Sequence, residues 1–140
     1  MFYLGLMAGY SQTPLVQKLG IKPGDNVLIK HEPAAYWDWV TPLPDGASVR
    51  KGPVNFIHCF FVKASAFQKE VLALKKRMHP NGMIWISWPK KSSGVSTDLD
   101  ENKIRDFALT HGLVDIKVCA VDEVWSGLKL VVPVAKRKLV

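Results

Sequence analysis

The chain has 140 residues, of which 48% are hydrophobic and 22% are charged. This composition is typical of a globular domain and excludes wholesale disorder, and no apolar run approaches the ~20 residues that a membrane-spanning helix needs. The formal net charge of +7 favours anionic partners, but the basic residues of "LKKRMH" and "KRK" fit a helix end and a solvated tail, and no arginine-rich or RNP-type motif indicates a nucleic-acid partner.

The first part of the chain alternates helices and strands. The pattern of "TPLVQKLG" is typical of a short helix that ends at Gly20, and "NVLIKHE" is typical of a strand. The stretch "PAAYWDWV" predicts a short helix with Pro33 in its first turn, and turn residues then lead to a short strand near 47–50. The next stretch, "VNFIHCFFV", is almost continuously apolar, as expected of a strand that is covered on both faces.

A helix, a strand and a second helix are predicted to follow. The stretch "SAFQKEVLALKKRMH" has apolar residues at helical spacing, with Ser65 as the expected cap and "HPNG" as the expected end. The stretch "MIWISW" predicts the next strand. We expect "DLDENKIRDFALTHG" to form a helix that Asp98 caps, with Glu101 as the reciprocal partner and Gly112 at its end.

The last two predicted strands, "LVDIKVCAVDE" and "LKLVVPV", have no helix between them and are joined by a hairpin-like "VWSG". They must therefore run antiparallel to each other, whereas the earlier alternation of strands and helices indicates parallel strands. The sequence thus predicts an α/β fold of three layers, with a mostly parallel sheet, helices on both faces and a C-terminal antiparallel hairpin. No linker or repeat interrupts the chain, so residues 1–140 are expected to form one domain.

The two cysteines, Cys59 and Cys119, lie in apolar stretches that are typical of strands. Neither belongs to a pair at metal-ligand spacing, so we expect no metal site, and buried reduced thiols are favoured over a disulfide. The N-terminal "MFYLGLMAGYSQTP" lacks the positive region and the cleavage site of a signal peptide, so it is interpreted as packed or frayed chain. These features predict a cytoplasmic protein without a membrane partner.

Two stretches resemble parts of class I methyltransferases. "LGIKPGDNVLIK" is similar to the sequence that leads into the first strand of that family, and "LKKRMHPNGMIWIS" is similar to a later helix-to-strand stretch. The resemblance implies a trimmed methyltransferase-like (Rossmann-like) fold, because the chain leaves no room for a full third strand-helix unit. More narrowly, "WPKK", "TDL" and "AVDEVWSGLKLV" resemble a small bacterial family of unknown function with this fold, which implies no activity.

The resemblance also implies a site for S-adenosylmethionine (SAM), and the sequence departs from the usual site at two points. SAM binders have glycines after the first strand, where the backbone approaches the cofactor, but here His31, Glu32 and Pro33 stand at that position. An acidic residue for the ribose hydroxyls is expected near the end of the second strand, but here the sequence is the basic "VRKG". We therefore expect no cofactor, with SAM as the alternative.

One candidate site lies beyond the strands that end at Trp88 and near Asp122, which are predicted to run parallel and to end at the same edge of the sheet. Lysine charge, serine hydroxyls and a helix N-terminus would there hold an anion, and a tryptophan would stack on a planar group. The alternative is a polar loop that serves only its own structure, because the glycine spacing is not that of a phosphate-binding loop. The candidate residues are Trp88, Lys90, Lys91, Ser92, Ser93, Gly94, Asp122 and Trp125.

A second candidate pocket lies at the end of the first strand, the usual switch point of such sheets. His31 and Glu32 would act there as acid and base if a substrate binds, and Tyr36 belongs to an aromatic cluster that would line the pocket. The alternative is a polar strand end beside core aromatics. No catalytic residue is assigned, because no Ser-His-Asp or Cys-His set can be assembled from the sequence.

The function that the sequence favours is a non-catalytic binder of an anionic small molecule or of a protein partner, built on a methyltransferase framework without the usual cofactor motif. The alternative is an atypical SAM-dependent methyltransferase. A third interpretation is a homo-oligomer whose interface is formed by exposed tryptophans.

Overall fold

The computed structural model describes residues 13–137, so the predictions for "MFYLGLMAGYSQ" and for the end of "KRK" lie outside the described residues. None of the helices in this range is long and apolar enough to cross a membrane. The α-helices are α1 (Leu15–Leu19), α2 (Tyr36–Trp39), α3 (Ala64–Lys76) and α4 (Glu101–Thr110). The strands are β1 (Asn26–Lys30), β2 (Ser48–Val49), β3 (Val54–Phe60), β4 (Met78–Pro89), β5 (Val114–Ala120) and β6 (Trp125–Val131).

The strands form one sheet in the order β2-β1-β3-β4-β6-β5. β1 pairs in parallel with β2 and β3, and β3 pairs in parallel with β4, whereas β6 is antiparallel to both β4 and β5. The predicted α/β fold, with a mostly parallel sheet and a C-terminal antiparallel hairpin, is confirmed. The chain runs from β1 outwards to β2 and returns to the other side of β1, so the strand order reverses between β1 and β3. That reversal is the place where open α/β sheets bind ligands.

Helices cover both faces of the sheet, and each face has its own hydrophobic core. The α1–α2 face is packed by residues of α1, α2 and the central strands, which include Leu19, Val27, Tyr36, Phe56, Phe60 and Trp85. The α3–α4 face is packed by residues that include Leu28, Ile57, Phe67, Val71, Ile84, Trp88, Ile104 and Leu128. Because β3 has residues in both cores, its nearly continuous apolar sequence is explained by burial on both faces.

A chain of hydrogen bonds runs through the core of the α1–α2 face. Tyr36, His58 and Ser87 have no exposed surface. The Tyr36 hydroxyl lies 3.0 Å from His58 Nδ1, and Ser87 Oγ lies 2.8 Å from His58 Nε2. Both ring nitrogens therefore have a partner, as buried polar groups require. His58 is therefore a core residue whose polar atoms are all hydrogen-bonded.

Two helix caps differ from the sequence prediction. Asp100, and not Asp98, is the N-cap of α4, and its carboxylate accepts a hydrogen bond from the Lys103 amide at 2.8 Å. Asp98 instead accepts a hydrogen bond from the Ala64 amide at 2.7 Å, at the start of α3, where the sequence predicts Ser65 as the cap. The prediction fails because the start of α3 is capped from a distant loop, which local spacing does not reveal.

Glu101 also has a different role from the predicted reciprocal cap. It pairs with Arg105 one turn later on α4, and the same guanidinium donates a hydrogen bond to Asp115 on β5 at 2.9 Å. The hydrogen bond from Arg105 holds the pKa of the Asp115 carboxyl below its usual value. These contacts join the start of α4 to the edge strand of the sheet.

Several element boundaries are shifted by strand pairing. β4 begins at Met78, so "HPNG" lies inside the strand, and a register shift between Val54 and Phe56 accommodates it. Trp125 already belongs to β6, so the hairpin connection is formed by residues 121–124 and not by "VWSG". The helix that "PAAYWDWV" predicts is confined to α2, and Pro33 precedes it. In the first two cases long-range hydrogen bonds extend a strand through residues that are locally typical of turns.

Replacing Ser87 with alanine is expected to lower the free energy of unfolding by about 1–3 kcal/mol, because a buried ring nitrogen of His58 then loses its partner. Chemical denaturation of the full chain measures the change. Ser92→Ala is the control, because Ser92 is exposed, and it should change stability by no more than about 0.5 kcal/mol. Equal losses in the two variants would contradict this role of Ser87.

His58 is also expected to make stability depend on pH. Burial lowers the pKa of His58 from 6.5 to about 3. Between these two pKa values the unfolded chain binds a proton that the folded chain excludes, so the free energy of unfolding falls as the pH falls, by at most ~1.4 kcal/mol per pH unit. Denaturation at several pH values should show a shallower slope for His58→Gln than for the wild type. The same slope in both proteins would rule His58 out as the cause.

Candidate functional site

A crevice lies at the carboxyl ends of β1 and β3, where the strand order reverses. One cavity of about 190 Å³ is lined by His31, Phe60, Phe61, Val62, Lys63, Ala66 and Glu70. A second cavity, of about 330 Å³, is lined by Val62, Lys63, Ser65, Ser96, Thr97 and Asp98. Because the two cavities share Val62 and Lys63, we treat them as one site and call it the switch-point crevice. The site combines an apolar floor with a lysine, two carboxylates and several hydroxyls.

His31 gives the crevice its most unusual backbone. It is the first residue after β1, and its φ is +61°. A residue with a side chain seldom adopts this left-handed conformation, and such outliers often occur at functional sites. His31 Nε2 lies 2.7 Å from Glu70 Oε1, and the ring centroid lies 5.6 Å from that of Phe61. The chain therefore turns after β1 in a conformation that glycine favours, without a glycine.

Glu32 and Tyr36, which the sequence groups with His31, do not lie together in the crevice. The Glu32 carboxylate accepts a hydrogen bond from Trp37 Nε1 at 3.3 Å. Tyr36 is fully buried in the α1–α2 face and contacts His58. Burial raises the pKa of Tyr36 far above its usual value, so its hydroxyl stays protonated. Of the predicted switch-point pocket, only His31 lines the crevice.

The second half of the polar loop after β4 forms one end of the crevice. Thr97 Oγ1 donates a hydrogen bond to the Val62 carbonyl at 2.6 Å, which holds the loop against the end of β3. Asp98 accepts from the Ala64 amide at the start of α3, as described above. Sequence reasoning missed Lys63, Thr97 and Asp98 as site residues. The rule that ligands lie beyond strand ends, applied to β3 as it was to β1, would have found Lys63.

The first half of the same loop meets the β5–β6 connection, as the parallel direction of β4 and β5 predicts. Lys90 Nζ donates a hydrogen bond to the Asp122 carbonyl at 2.7 Å, and the Lys90 amide donates to the Val124 carbonyl at 2.7 Å. The Asp122 carboxylate accepts from the amides of Val124 and Trp125 at 2.9 and 2.7 Å. The charged groups of this region therefore stabilise the two connections themselves.

The two tryptophans of this candidate site lie on opposite faces of the sheet. Trp88 has 7% of its surface exposed and packs in the core of the α3–α4 face. Trp125 is half-buried on the α1–α2 face, and its ring centroid lies 5.0 Å from that of Phe60. A single ligand cannot stack on both rings. The prediction that Trp88 and Trp125 belong to one candidate site is therefore corrected for Trp88, which is a core residue of the other face.

The remaining residues of the loop form a short 3₁₀ helix, Lys91–Ser93, followed by Gly94 at φ +78°. Ser93 Oγ donates a hydrogen bond to the Lys90 carbonyl at 2.6 Å and accepts one from the Val95 amide at 3.1 Å. Lys91 and Ser92 are exposed. The structure thus supports the polar-loop interpretation for Ser93, and an anion site at Lys90–Gly94 stays a prediction.

Neither cysteine is suited to act as a nucleophile. Cys59 is fully buried, and burial raises its pKa far above the usual value. Cys119 is partly buried, and its pKa is also raised by burial. Because only the thiolate is strongly nucleophilic, these environments favour inert thiols. Among the described residues there is also no group of three or more metal-ligating side chains.

Comparison with known proteins assigns the fold. No family model matches the sequence, and no curated protein matches it significantly. The fold is similar to that of the DhpI–SAH complex, where SAH denotes S-adenosylhomocysteine, with a TM-score of 0.60 and 10% identity over 86% of this chain and 83% of the other. The resemblance to class I methyltransferases is therefore correct at the level of the fold, whereas the narrower bacterial family stays a prediction.

Two further structures support the assignment. A SAM-dependent methyltransferase from Aquifex aeolicus matches with a TM-score of 0.57 and 16% identity over 85% of this chain and 88% of the other. The magnesium protoporphyrin IX methyltransferase of Synechocystis, solved with bound SAM, matches with a TM-score of 0.54 and 12% identity over 85% and 74%. Identities this low show a common fold and leave the activity to be argued from the site.

Asp122→Ala is expected to lower the free energy of unfolding by about 1–2 kcal/mol, because two amides of the β5–β6 connection lose their acceptor. Asp122→Asn keeps a side-chain oxygen at this position and should retain most of the stability. Glu123→Ala is the matched control, since Glu123 is the next residue and its side chain is exposed. Chemical denaturation compares the three variants, and an equal effect of Glu123→Ala would contradict the role of Asp122.

Proposed function

We propose that the protein is an atypical SAM-dependent methyltransferase that binds its cofactor in the switch-point crevice. The observation that carries the proposal is the position of this crevice at the reversal of strand order, in a fold shared with methyltransferases, one of them solved with bound SAM. This reverses the order of the two functions that the sequence suggests, in which a non-catalytic binder comes first.

The groups of the crevice fit the chemistry of the cofactor. SAM carries an amino acid end with both charges, ribose hydroxyls and an apolar adenine face. Lys63 offers a cation for the carboxylate, and Glu70 and Asp98 offer acceptors for ammonium or hydroxyl groups. Phe60 and Phe61 supply apolar surface. The two cavities, of about 190 and 330 Å³, together have the size of a small-molecule site.

The site would be atypical in where its determinants come from. The turn after β1 uses His31 at a positive φ where the family has glycine. The residue after β2 is Arg50, so no carboxylate follows the second strand, and the acceptors for ribose must come from elsewhere. Glu70 on α3 is the candidate, since it lines the crevice. It would keep its hydrogen bond with His31 at Oε1 and accept one from a ligand hydroxyl at its other oxygen.

When bound, the cofactor supplies an electrophilic methyl group on a positively charged sulfur. The residues of the chain would hold it and remove a proton from the methyl acceptor. In the pair with Glu70, the carboxylate only accepts, so His31 donates from Nε2. In a neutral ring the lone pair then lies on Nδ1, and this atom is our candidate base.

A non-catalytic binder remains the second candidate. It is favoured by the side chain of His31, which stands where a glycine would let the cofactor approach the backbone. The ligand would then be an anionic small molecule or a protein partner. In this second proposal the chain would belong to the small bacterial family of unknown function that its sequence resembles. Binding of SAM separates the two candidates.

SAM and SAH are expected to stabilise the full chain against thermal unfolding. A ligand at a hundred times its dissociation constant adds about 2.7 kcal/mol to the free energy of unfolding. Lys63→Gln and Glu70→Gln should each weaken the binding by about fivefold, because each removes a charged contact. Lys69→Gln is the control. Lys69 is exposed like Lys63 and precedes Glu70 in the sequence, but it does not line the crevice.

Titration calorimetry gives the affinities of these variants. No stabilisation by either ligand at millimolar concentration would reject the proposal in favour of the non-catalytic binder. If all three variants bind SAM as tightly as the wild type, the cofactor does not bind in the crevice. If SAM binds, His31→Asn tests the base, because asparagine tolerates a positive φ but lacks a titratable nitrogen. Methyl transfer should then fall while SAM affinity changes little.

A further inference from the structure

A separate cavity lies at the opposite edge of the sheet from the switch-point crevice. It has a volume of about 550 Å³ and is lined by Lys75, Met78, Pro80, His111, Gly112, Val132 and Lys136. These residues belong to the end of α3, the start of β4, the residues after α4 and the residues after β6. They therefore lie at the amino end of β4, beside the carboxyl end of β6, and we call this site the amino-edge cavity.

The lining of the amino-edge cavity combines apolar surface with positive charge. Met78, Pro80 and Val132 supply the apolar part, and Met78 has 8% of its surface exposed. Lys75 and Lys136 supply two cationic groups, and none of the lining residues is acidic. A cavity of this kind attracts a negative charge and also removes hydrocarbon from water. Its volume is within the range of small-molecule sites.

Lys75 is held in place by the backbone that follows α4. Its ammonium donates a hydrogen bond to the His111 carbonyl at 2.8 Å. Gly112 leaves the space for this contact, because a Cβ atom there would lie 2.7 Å from Lys75 Nζ. Gly112 also has φ +81°, which glycine adopts without strain. The glycine therefore serves both the end of α4 and the position of the lysine.

His111 is fixed in the same way. Its ring stacks on Phe107, with centroids 4.0 Å apart. Its Nδ1 lies 2.7 Å from the Phe107 carbonyl, which can only accept, so Nδ1 carries the hydrogen. In the neutral ring Nε2 is then the acceptor, and in the protonated ring it becomes a further donor. The polar side of the cavity is thus built from groups whose positions are set by the helix ends.

We propose that the amino-edge cavity binds a small anion with an apolar body, namely a carboxylate on a hydrocarbon chain. The charge would lie near Lys75 and Lys136, and the chain would lie against Met78 and Val132. The site is independent of the proposed methyltransferase activity, because it lies at the other edge of the sheet and shares no lining residue with the crevice.

Octanoate is the probe, titrated into the full chain and followed by ¹H–¹⁵N NMR and calorimetry. We expect chemical-shift changes at the amides of His111, Gly112 and Val132. Acetate carries the charge without the chain, and 1-octanol carries the chain without the charge, so both should bind at least about fivefold more weakly than octanoate. Lys136→Gln should weaken octanoate by about threefold, the size expected for an exposed charge.

Lys76→Gln is the control for Lys136→Gln, because Lys76 is also exposed and follows Lys75 at the end of α3, but it does not line the cavity. Val132→Trp gives a second test, since the larger ring would fill the cavity and abolish binding while the spectrum shows that the fold is kept. The proposal is overturned if acetate or 1-octanol binds as well as octanoate. It is also overturned if the shifts occur at Lys63 and Thr97, or if Lys136→Gln and Lys76→Gln have the same effect.

Discussion

The parallel pairing of β1 with β3 is the constraint on which the rest of the structure depends. Val27 to Lys30 of β1 lie beside Phe56 to Cys59 of β3. Two parallel neighbours need a long connection, and here that connection forms α2 and β2 on one side before the chain returns. The next helix, α3, then covers the other face. The two strands therefore end together at a point where no connection crosses, and this opening is the switch-point crevice.

The hydrogen bonds of Tyr36, His58 and Ser87 connect this constraint to the site. Each group is buried among apolar residues, so a different packing of α2 would leave polar atoms without partners, at a cost of about 1–3 kcal/mol each. Tyr36 begins α2, only five residues after His31. Anchoring Tyr36 in the core therefore fixes the end of the short segment that contains the turn after β1. The packing of Tyr36 on the α1–α2 face thus supports the left-handed conformation of His31 at the end of β1.

The sequence was informative where local patterns decide the outcome and misleading where distant parts meet. Apolar periodicity was enough to predict the sheet, and the absence of a helix between the last two predicted strands was enough to predict their antiparallel hairpin. Asp98 and Asp100 are equally good caps locally, and only the contact of Asp98 with α3 separates their roles. Trp88 and Trp125 are both predicted at the same edge of the sheet, but Trp125 pairs with Pro89, and this register places the two rings on opposite faces. No local pattern pointed to Glu70, because its partner His31 is 39 residues away.

The turn after β1 shows why missing glycines do not decide the function. The backbone turns sharply after β1, and His31 adopts the left-handed conformation of this turn because the surrounding structure holds it. Glycine would give the same turn without strain, but it would offer no side chain. Histidine adds an imidazole that contacts Glu70 and lines the crevice. The side chain of His31 makes close approach of a cofactor harder. In the proposed enzyme, the same side chain supplies a base for the proton that the methyl acceptor would lose. His31 therefore argues for an atypical enzyme as much as against a typical one.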